Sequence, residues 1–233
     1  MKKFLKYSIL SICAVIFLIG AYFTVKGYAM YCKVLRDNPP AQAIEKIQND
    51  EDYVSIDVLP EMYLDAVIAV EDRRFYYHPG IDIISIGRAV FNDIREMKLV
   101  EGGSTITQQF AKNIFFTQSK KFERKIAEMF MALRLERMYD KDEILELYVN
   151  TIYFGSGYYS VRAASLGYFD KEPWELSDYE STMLAGLPNA PSVYSLDNNP
   201  ELASQRQAQV VSKLVKYGYI KEEEGERILS CAP

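Results

Sequence analysis

The sequence EDRRFYYHPG at residues 71–80 is followed by GGSTITQQFAKN at residues 102–113 and by RKIAE at residues 124–128. These segments place one carboxylate, Glu71, before a polar stretch with glycine hinges and cations, and a second carboxylate, Glu128, after it. A threonine followed three residues later by glutamine is typical of a capping box, so Thr105 and Gln108 predict the start of a helix. Charged side chains and helix ends therefore occur together in this part of the chain.

Hydrophobic residues on both sides of Glu71 recur at helical spacing. Tyr63, Val67 and Val70 predict a helix that ends at Glu71. A second helix follows, and its buried stripe is expected to consist of Ile83, Ile86, Val90, Ile94 and Met97. A long helix is predicted over residues 122–138, and the sequence contains neither a series of alternating strands nor an internal repeat. The predicted fold is mostly α.

The composition is that of an ordinary globular domain with an additional segment. The chain has 233 residues, of which 49% are hydrophobic and 25% are charged. The net charge of -5 provides no basic field, so no nucleic-acid partner is predicted. One histidine and three scattered cysteines disfavour a zinc site and a Ser-His-Asp triad. His78 is interpreted as a structural turn histidine, and Cys32 and Cys231 could either pair outside the cell or stay free.

The N-terminus predicts a membrane anchor. Lysines at positions 2, 3 and 6 precede residues 7–25, which carry no charge and are long enough to span a bilayer as a helix. The lysines favour a cytoplasmic N-terminus. A cleaved signal peptide is the alternative, but no convincing cleavage site follows the apolar run. We predict a cytoplasmic tail at 1–6, a transmembrane anchor at 7–25, a tether at 26–56 that is broken by Asn38-Pro39-Pro40, and one domain at 57–233.

The two carboxylates and the cations between them suit the transfer of a sugar from a pyrophosphate leaving group. Glu71 could be the base that accepts the proton of the attacking hydroxyl. The departing pyrophosphate is a weak base, so it requires positive charge more than a proton donor. Lys112, Lys120 and Arg124 could supply this charge, and Glu128 could orient the cations or hold a divalent metal ion.

Each of these residues also has an ordinary structural interpretation. Glu71 could be a solvated helix end. Arg124 and Glu128 are four residues apart and could form a surface ion pair worth about a few tenths of a kcal/mol. Ser104 and Thr105 could simply cap a helix. Residue spacing alone leaves both interpretations open.

Five segments, in order, resemble the motifs of the peptidoglycan glycosyltransferases of family 51, which occur as monofunctional enzymes and as N-terminal domains of class A penicillin-binding proteins. Residues 71–80 match the first motif, E-D-x-x-F-x-x-H-x-G. The second to fifth motifs are matched in turn by residues 103–113, 124–128, 141–150 and 153–169. The similarity covers roughly residues 57–220, and five ordered motifs are more specific than any single one.

The resemblance implies a lysozyme-like helical fold with two lobes, a head and a jaw, around a cleft. It also implies that the protein polymerises lipid II into β-1,4 glycan, with inversion and release of undecaprenyl pyrophosphate. Glu71 would be the general base on the acceptor 4-hydroxyl, and Glu128 would lie at the donor pyrophosphate. The donor side would be formed by Ser104, Thr105, Gln108, Gln109, Lys112, Asn113, Lys120 and Arg124.

The resemblance further implies partners and a location. The expected partners are lipid II, the growing glycan chain and the lipids of the bacterial cytoplasmic membrane, with other proteins of cell-wall synthesis as further candidates. The domain would act on the extracytoplasmic side, where Phe115 and Phe116 could either enter the headgroup layer or belong to the core. A divalent cation, Mg or Mn, could bind with Glu128 as a ligand, and no organic cofactor is expected.

The sequence departs from the family pattern at two places away from the two glutamates: Asp170 follows Tyr-Phe where the family often has glycine, and residues 159–162 stand where smaller residues are common. On the donor side, Lys120 stands where arginine is common, which gives charge without a bidentate fork. No Ser-x-x-Lys occurs, so a transpeptidase activity is not expected. The alternatives are a lysozyme-like lytic enzyme, which would use a protonated carboxylic acid in an apolar pocket, and a non-catalytic scaffold of the cell wall.

Overall fold

The computed structural model describes residues 2–96, 102–117 and 121–231. Over these ranges the chain forms twelve α-helices and short 3-10 turns without a β-strand, so the predicted mostly α fold is confirmed. The helices are α1 Lys2–Asp37, α2 Pro40–Gln48, α3 Glu61–Glu71, α4 Ile83–Glu96, α5 Ile106–Phe115, α6 Phe122–Met138, α7 Lys141–Val149, α8 Val161–Phe169, α9 Asp178–Gly186, α10 Pro191–Tyr194, α11 Pro200–Tyr217 and α12 Glu222–Ser230.

The core holds in place the helices that carry the predicted site residues. Helix α3 packs against α9 and α11, and α5 packs against α6 and α7. Large side chains are buried in this core, among them Tyr63 on α3, Phe110 on α5 and Tyr148 on α7. Burying one such side chain contributes about 1.5–3 kcal/mol. The end of α3 at Glu71, which the sequence predicted, therefore lies on a rigid base.

The start of α5 is determined by a capping box, as predicted. Thr105 Oγ1 accepts a hydrogen bond from the Gln108 backbone N–H at 3.1 Å, and Gln108 Oε1 accepts one from the Thr105 N–H at 3.0 Å. The Thr105 hydroxyl also donates to the carbonyl oxygen of Gly80 at 2.7 Å. These bonds satisfy N–H groups that a helix start would otherwise leave unpaired and tie α5 to the end of the first motif.

The stripe expected to be buried on α4 is largely exposed. Ile83 is 79% exposed and Val90 is 53% exposed, whereas their neighbour Ala89 is buried. The predicted burial is wrong for Ile83 and Val90, because helical periodicity identifies an apolar face without specifying what covers it. Met97 and the side chain of Ile94 lie outside the described part of the structure.

Helix α1 has an exposed first part and a second part that packs against α6. Among the described helices, one is long and apolar enough to cross a membrane by length and composition: residues 3–37, with a mean hydropathy of 2.3 over a window that is not buried. Phe23 contacts Phe122 with ring centroids 5.1 Å apart, and Tyr28 contacts Phe130 at 5.2 Å. These aromatic contacts join the second part of α1 to the domain.

The segment predicted to be a tether is largely helical. Helix α1 continues to Asp37 and ends where the Asn-Pro-Pro sequence begins, and α2 follows directly. Ile44 on α2 is 2% exposed and Val54 is 7% exposed, because both pack into the core of the domain. Residues 26–56 therefore contribute side chains to the core of the domain.

Phe115 belongs to the core and not to a surface that could enter headgroups. It is 7% exposed, and its ring centroid lies 6.4 Å from that of Phe110. Phe116 is partly buried against the same cluster. The core interpretation of Phe115 is therefore correct. The cysteines at positions 13, 32 and 231 are free.

Candidate active site

A cavity of about 470 Å³ opens where the end of α3, the segment before α5, and α11 come together. Its wall is strongly polar. Among the residues predicted to form the site, those that line it are Glu71, Ser104, Thr105, Gln109 and Lys112. The cavity thus brings the first carboxylate together with the residues of the second motif.

The two carboxylate oxygens of Glu71 have different environments. Oε2 accepts a hydrogen bond from Gln109 Nε2 at 2.7 Å. Oε1 is buried and has no hydrogen-bond partner among the described residues. A carboxylate that is held by one oxygen and unpaired at the other can accept a proton from a correctly placed hydroxyl. The solvated-helix-end interpretation of Glu71 does not fit this geometry.

Asp72 and His78 hold the first motif in shape. His78 Nδ1 accepts a hydrogen bond from the Gly80 N–H at 3.2 Å, which leaves the proton on Nε2 to be donated to Asp72 at 2.9 Å. Asp72 Oδ2 also accepts from the Ile106 N–H, at 3.1 Å, at the first residue of α5. His78 is buried and has a structural role in the turn, as the sequence suggested.

Asp82 completes a buried group with Asp72 and His78, whose ligand atoms lie within 4.8 Å of one another. Burial raises the pKa of Asp82, but hydrogen bonds from Arg74 and Ser85 outweigh this effect and lower the pKa well below its usual range. Since the protein already uses these donors and acceptors, the group acts as an internal ionic network and does not resemble a metal site awaiting an ion.

The second carboxylate, Glu128, is 1% exposed and is held by two cations on its own helix. Its Oε1 lies 3.0 Å from Arg124 Nε, although the pair is not aligned as a hydrogen bond, and its Oε2 lies 3.3 Å from Lys125 Nζ. Lys125 Nζ also donates to Ser104 Oγ at 2.6 Å. Since Ser104 lines the cavity, Glu128 is connected to the cavity wall through Lys125.

Lys125 is a site residue that the sequence analysis did not select. Burial lowers the pKa of Lys125, the charge of Glu128 opposes this shift, and the nearby cations Lys112 and Arg124 lower it further. Lys112, Arg124 and Lys125 therefore lie near one another beside the cavity. The position of Lys125, three residues before Glu128 on the same helix, was the sequence signal that could have identified it.

The remaining predicted residues have mixed placements. Gln108 is 1% exposed, and its carbonyl oxygen belongs to the capping box, so it supports α5 from inside. Asn113 is half-buried and does not line the cavity. Lys120 lies outside the described residues. The structure therefore brings together Glu71, Ser104, Thr105, Gln109 and Lys112 directly, and Arg124 and Glu128 through Lys125.

Helix α11 contributes a wall that no sequence motif indicated. Arg206, Gln209 and Lys213 line the cavity opposite the second motif. Lys213 Nζ donates to the carbonyl oxygen of Val70, 143 residues away in the chain, at 3.1 Å. Arg73 lies over the ring of Tyr217 at 5.1 Å. These contacts place basic side chains next to Glu71 from the C-terminal part of the domain.

The surroundings of Glu128 do not fit a divalent metal ion. Such an ion requires several oxygen ligands. The described groups within ion-pair distance of the Glu128 carboxylate are the cationic nitrogens of Arg124 and Lys125, which would have to be displaced. No step below is routed through a metal, and Mg or Mn binding stays a prediction.

Comparison with known proteins agrees with this arrangement. The transglycosylase family model matches residues 38–215. The chain is 39% identical over 208 residues to a monofunctional glycosyltransferase of Staphylococcus aureus (strain Newman), covering 86% of this chain and 76% of the relative. The chain belongs to the transglycosylase family, and its suspected relationship to the peptidoglycan glycosyltransferases is confirmed.

A longer relative contains the same region. The chain is 48% identical over 178 residues to penicillin-binding protein 1A of Aquifex aeolicus, which covers 76% of this chain but only 24% of that protein. The chain thus spans about a quarter of the length of this relative. Penicillin-binding protein 1A of Haemophilus influenzae is a structural neighbour with a TM-score of 0.47 and 24% identity, covering 78% of this chain and 17% of the neighbour.

Proposed function

We propose that this protein is a peptidoglycan glycosyltransferase that polymerises lipid II into β-1,4 glycan strands with inversion and releases undecaprenyl pyrophosphate. The observation that carries the proposal is the state of Glu71. One of its oxygens is held by Gln109 and the other has no hydrogen-bond partner in the described part of the chain, in a cavity that Ser104 and Lys112 also line. The family membership and the monofunctional relative support the same reaction class.

In the proposed reaction Glu71 accepts the proton of the acceptor 4-hydroxyl while the hydroxyl oxygen attacks the anomeric carbon of the donor. The bond from that carbon to the pyrophosphate oxygen breaks, and the leaving group takes the electron pair. Lys112, Lys125 and Arg124 stabilise the charge that develops there. An ammonium group has three donors, and Lys125 donates one to Ser104 and forms an ion pair with Glu128 at 3.3 Å, so a donor remains for a phosphate oxygen.

Glu128 acts on the cations in this proposal and does not contact the sugar. Its buried carboxylate holds Arg124 and Lys125 on the same side of α6. Three cations near one another would repel each other, and a buried carboxylate reduces that repulsion and fixes their positions. The positions of Arg124 and Lys125 therefore depend on Glu128.

We further propose that α1 anchors the protein in the bacterial cytoplasmic membrane with the domain on the extracytoplasmic side. The exposed hydrophobic side chains of its first part support the anchoring, and the lysines before the apolar run support the orientation. Exposed hydrophobic residues on α4, such as Ile83, Ile84 and Phe91, would face the same lipid surface. A polyprenyl-linked substrate remains in the bilayer, so a cavity close to the lipid surface is required.

Polymerisation of labelled lipid II by the full-length protein tests the proposal. We expect Glu71→Gln to lower the rate at least about a hundredfold, because the substitution keeps the shape and removes the base. Glu61→Gln, at the exposed first turn of the same helix, is the matched control and should retain the wild-type rate. A Glu71→Gln protein with most of its activity would remove the assignment of the base.

The same assay decides between the proposal and its rivals. Activity that persists in a chelator would show that no divalent ion is needed, whereas its loss and recovery on adding Mg or Mn would establish a cation requirement. Release of muropeptides from purified cell wall, without turnover of lipid II, would instead favour a lytic enzyme. An absence of both activities would favour the scaffold.

A further inference from the structure

Tyr148 is a buried polar residue that the proposed reaction does not use directly. It lies near the end of α7 and is 1% exposed, beneath the cavity that Glu71 and Gln109 line. Its hydroxyl donates to Gln109 Oε1 at 3.4 Å. The Gln109 amide therefore has one end toward Tyr148 and the other end, Nε2, toward Glu71.

The chemistry of the three groups permits one consistent arrangement. An ionised carboxylate can only accept hydrogen bonds, so the amide must present its NH₂ group to Glu71. The amide oxygen then points to Tyr148, and the phenol must donate to it. Burial raises the pKa of Tyr148 well above its ordinary value, and the charge of Glu71 adds to this effect, so the phenol keeps its proton.

We propose that Tyr148 is a positioning residue that fixes the orientation of the Gln109 amide and, through it, the position of the Glu71 carboxylate. The inference rests on the proposed glycosyltransferase function and deepens it. In the opposite amide orientation, the oxygen of Gln109 would face an oxygen of Glu71, and two acceptors would repel each other. A donor fixed in the core on the far side of Gln109 opposes that rotation.

The lengths of the two bonds agree with this division of roles. The bond from Gln109 to Glu71 is 2.7 Å, which is short because the acceptor is charged. The bond from Tyr148 is 3.4 Å, longer than an ordinary O–H···O bond. Tyr148 therefore acts by selecting an orientation, and the short bond holds the base.

The test is Tyr148→Phe in the full-length protein, with lipid II polymerisation as the assay. Phenylalanine keeps the ring in the core and removes only the hydroxyl. We expect kcat to fall about three- to tenfold, the effect of losing one neutral hydrogen bond, with KM unchanged. Tyr63→Phe removes another hydroxyl from a buried tyrosine, on α3, and is the matched control with wild-type kcat.

A double-mutant cycle separates positioning from a general loss of stability. In a Gln109→Met background Tyr148→Phe should have no additional effect on kcat, because the residue through which it acts is absent. Equal losses in both backgrounds would overturn the inference, and so would a Tyr148→Phe kcat equal to that of wild type. A wild-type protein that does not polymerise lipid II would overturn the proposed function and this inference together.

A second variant covers the case in which Tyr148→Phe fails to fold. Gln109→Asn retains an amide on a half-buried side chain but is too short to reach both Tyr148 and Glu71. We expect its kcat to fall at least as much as that of Tyr148→Phe, with the melting temperature unchanged. Wild-type kcat in Gln109→Asn would overturn the inference independently of the tyrosine variant.

Discussion

At the scale of single residues, the site depends on how charges are placed against one another. Glu128 is almost fully buried, and Arg124 and Lys125 contact its two oxygens. Burying a carboxylate is costly unless it is paired, and removing either cation would leave one of the two Glu128 oxygens without its charged partner. Lys125 has the further contact to Ser104 that links this group to the cavity. Lys125 therefore contacts both the buried carboxylate and a residue of the cavity wall.

Lys125→Gln should lower kcat/KM for lipid II at least about tenfold, because it removes a cation from the leaving-group side while keeping a polar side chain. Lys121→Gln, at the exposed residue just before α6, is the matched control and should have little effect. Steady-state polymerisation rates measure both. Equal rates for the two variants would contradict the assigned role of Lys125.

The pH dependence of the reaction provides a second measure of Lys125. Since burial lowers its pKa, Lys125 loses its positive charge at a lower pH than an exposed lysine does. Activity should therefore decline on the alkaline side as this group deprotonates. Lys125→Arg keeps the charge at higher pH, and its alkaline decline should move upward. An unchanged alkaline limb would show that Lys125 does not titrate in the active enzyme.

At the scale of elements, helix ends place most of the functional side chains. Helix α3 ends at Glu71, and α5 begins at the capping box of Thr105. These ends could be predicted, because the signals for them lie within a few residues of one another. The burial of α4 could not be predicted, because the spacing of its apolar residues does not show which other element covers them.

Asp170 ends α8 with φ of 54° and ψ of 39°, in the left-handed region, where its N–H donates to the carbonyl oxygen of Leu166 at 3.0 Å. Glycine adopts this conformation without the cost of a Cβ atom. Asp170→Gly should therefore raise the free energy of unfolding by about 0.5–1 kcal/mol, and Asp170→Ala should lower it. Denaturant unfolding measures both variants. A destabilised Asp170→Gly would contradict this account.

At the scale of the whole molecule, α1 packs against the helix that carries two of the cations of the site. The second part of α1 packs along α6, which carries Arg124, Lys125 and Glu128. Gly27 lies at the closest approach, where a Cβ atom would be 2.6 Å from Ile126 Cβ and 2.9 Å from the carbonyl oxygen of Glu123. The position of the proposed membrane anchor and the position of the site are therefore mechanically connected.

Gly27→Val should separate α1 from α6, with a loss of stability of about 1–3 kcal/mol from overpacking. Gly20→Val is the matched control on the same helix, because nothing lies within 4 Å of the Cβ position there. Thermal unfolding in detergent and lipid II polymerisation in liposomes should both decline for Gly27→Val alone. The same behaviour in both variants would show that α1 packing does not influence the domain.

The sequence by itself determined the helical class, the end of α3, the start of α5 and the break after α1. Glu71 and Lys112 were identified from their chemistry, and Ser104 and Gln109 from the family resemblance, and the structure places all four around one cavity. The helix ends depend on side chains that are close to one another in the chain. Their physical origin is the pairing of helix-end N–H groups and the spacing of apolar residues.

Only the tertiary structure decided the rest. It connected Glu128 to the cavity through Lys125 and brought Lys213 of α11 to the carbonyl of Val70. It also left Ile83 and Val90 exposed. These outcomes depend on which helices pack together, and packing between distant segments is set by the shape and burial of the whole core and not by any local pattern.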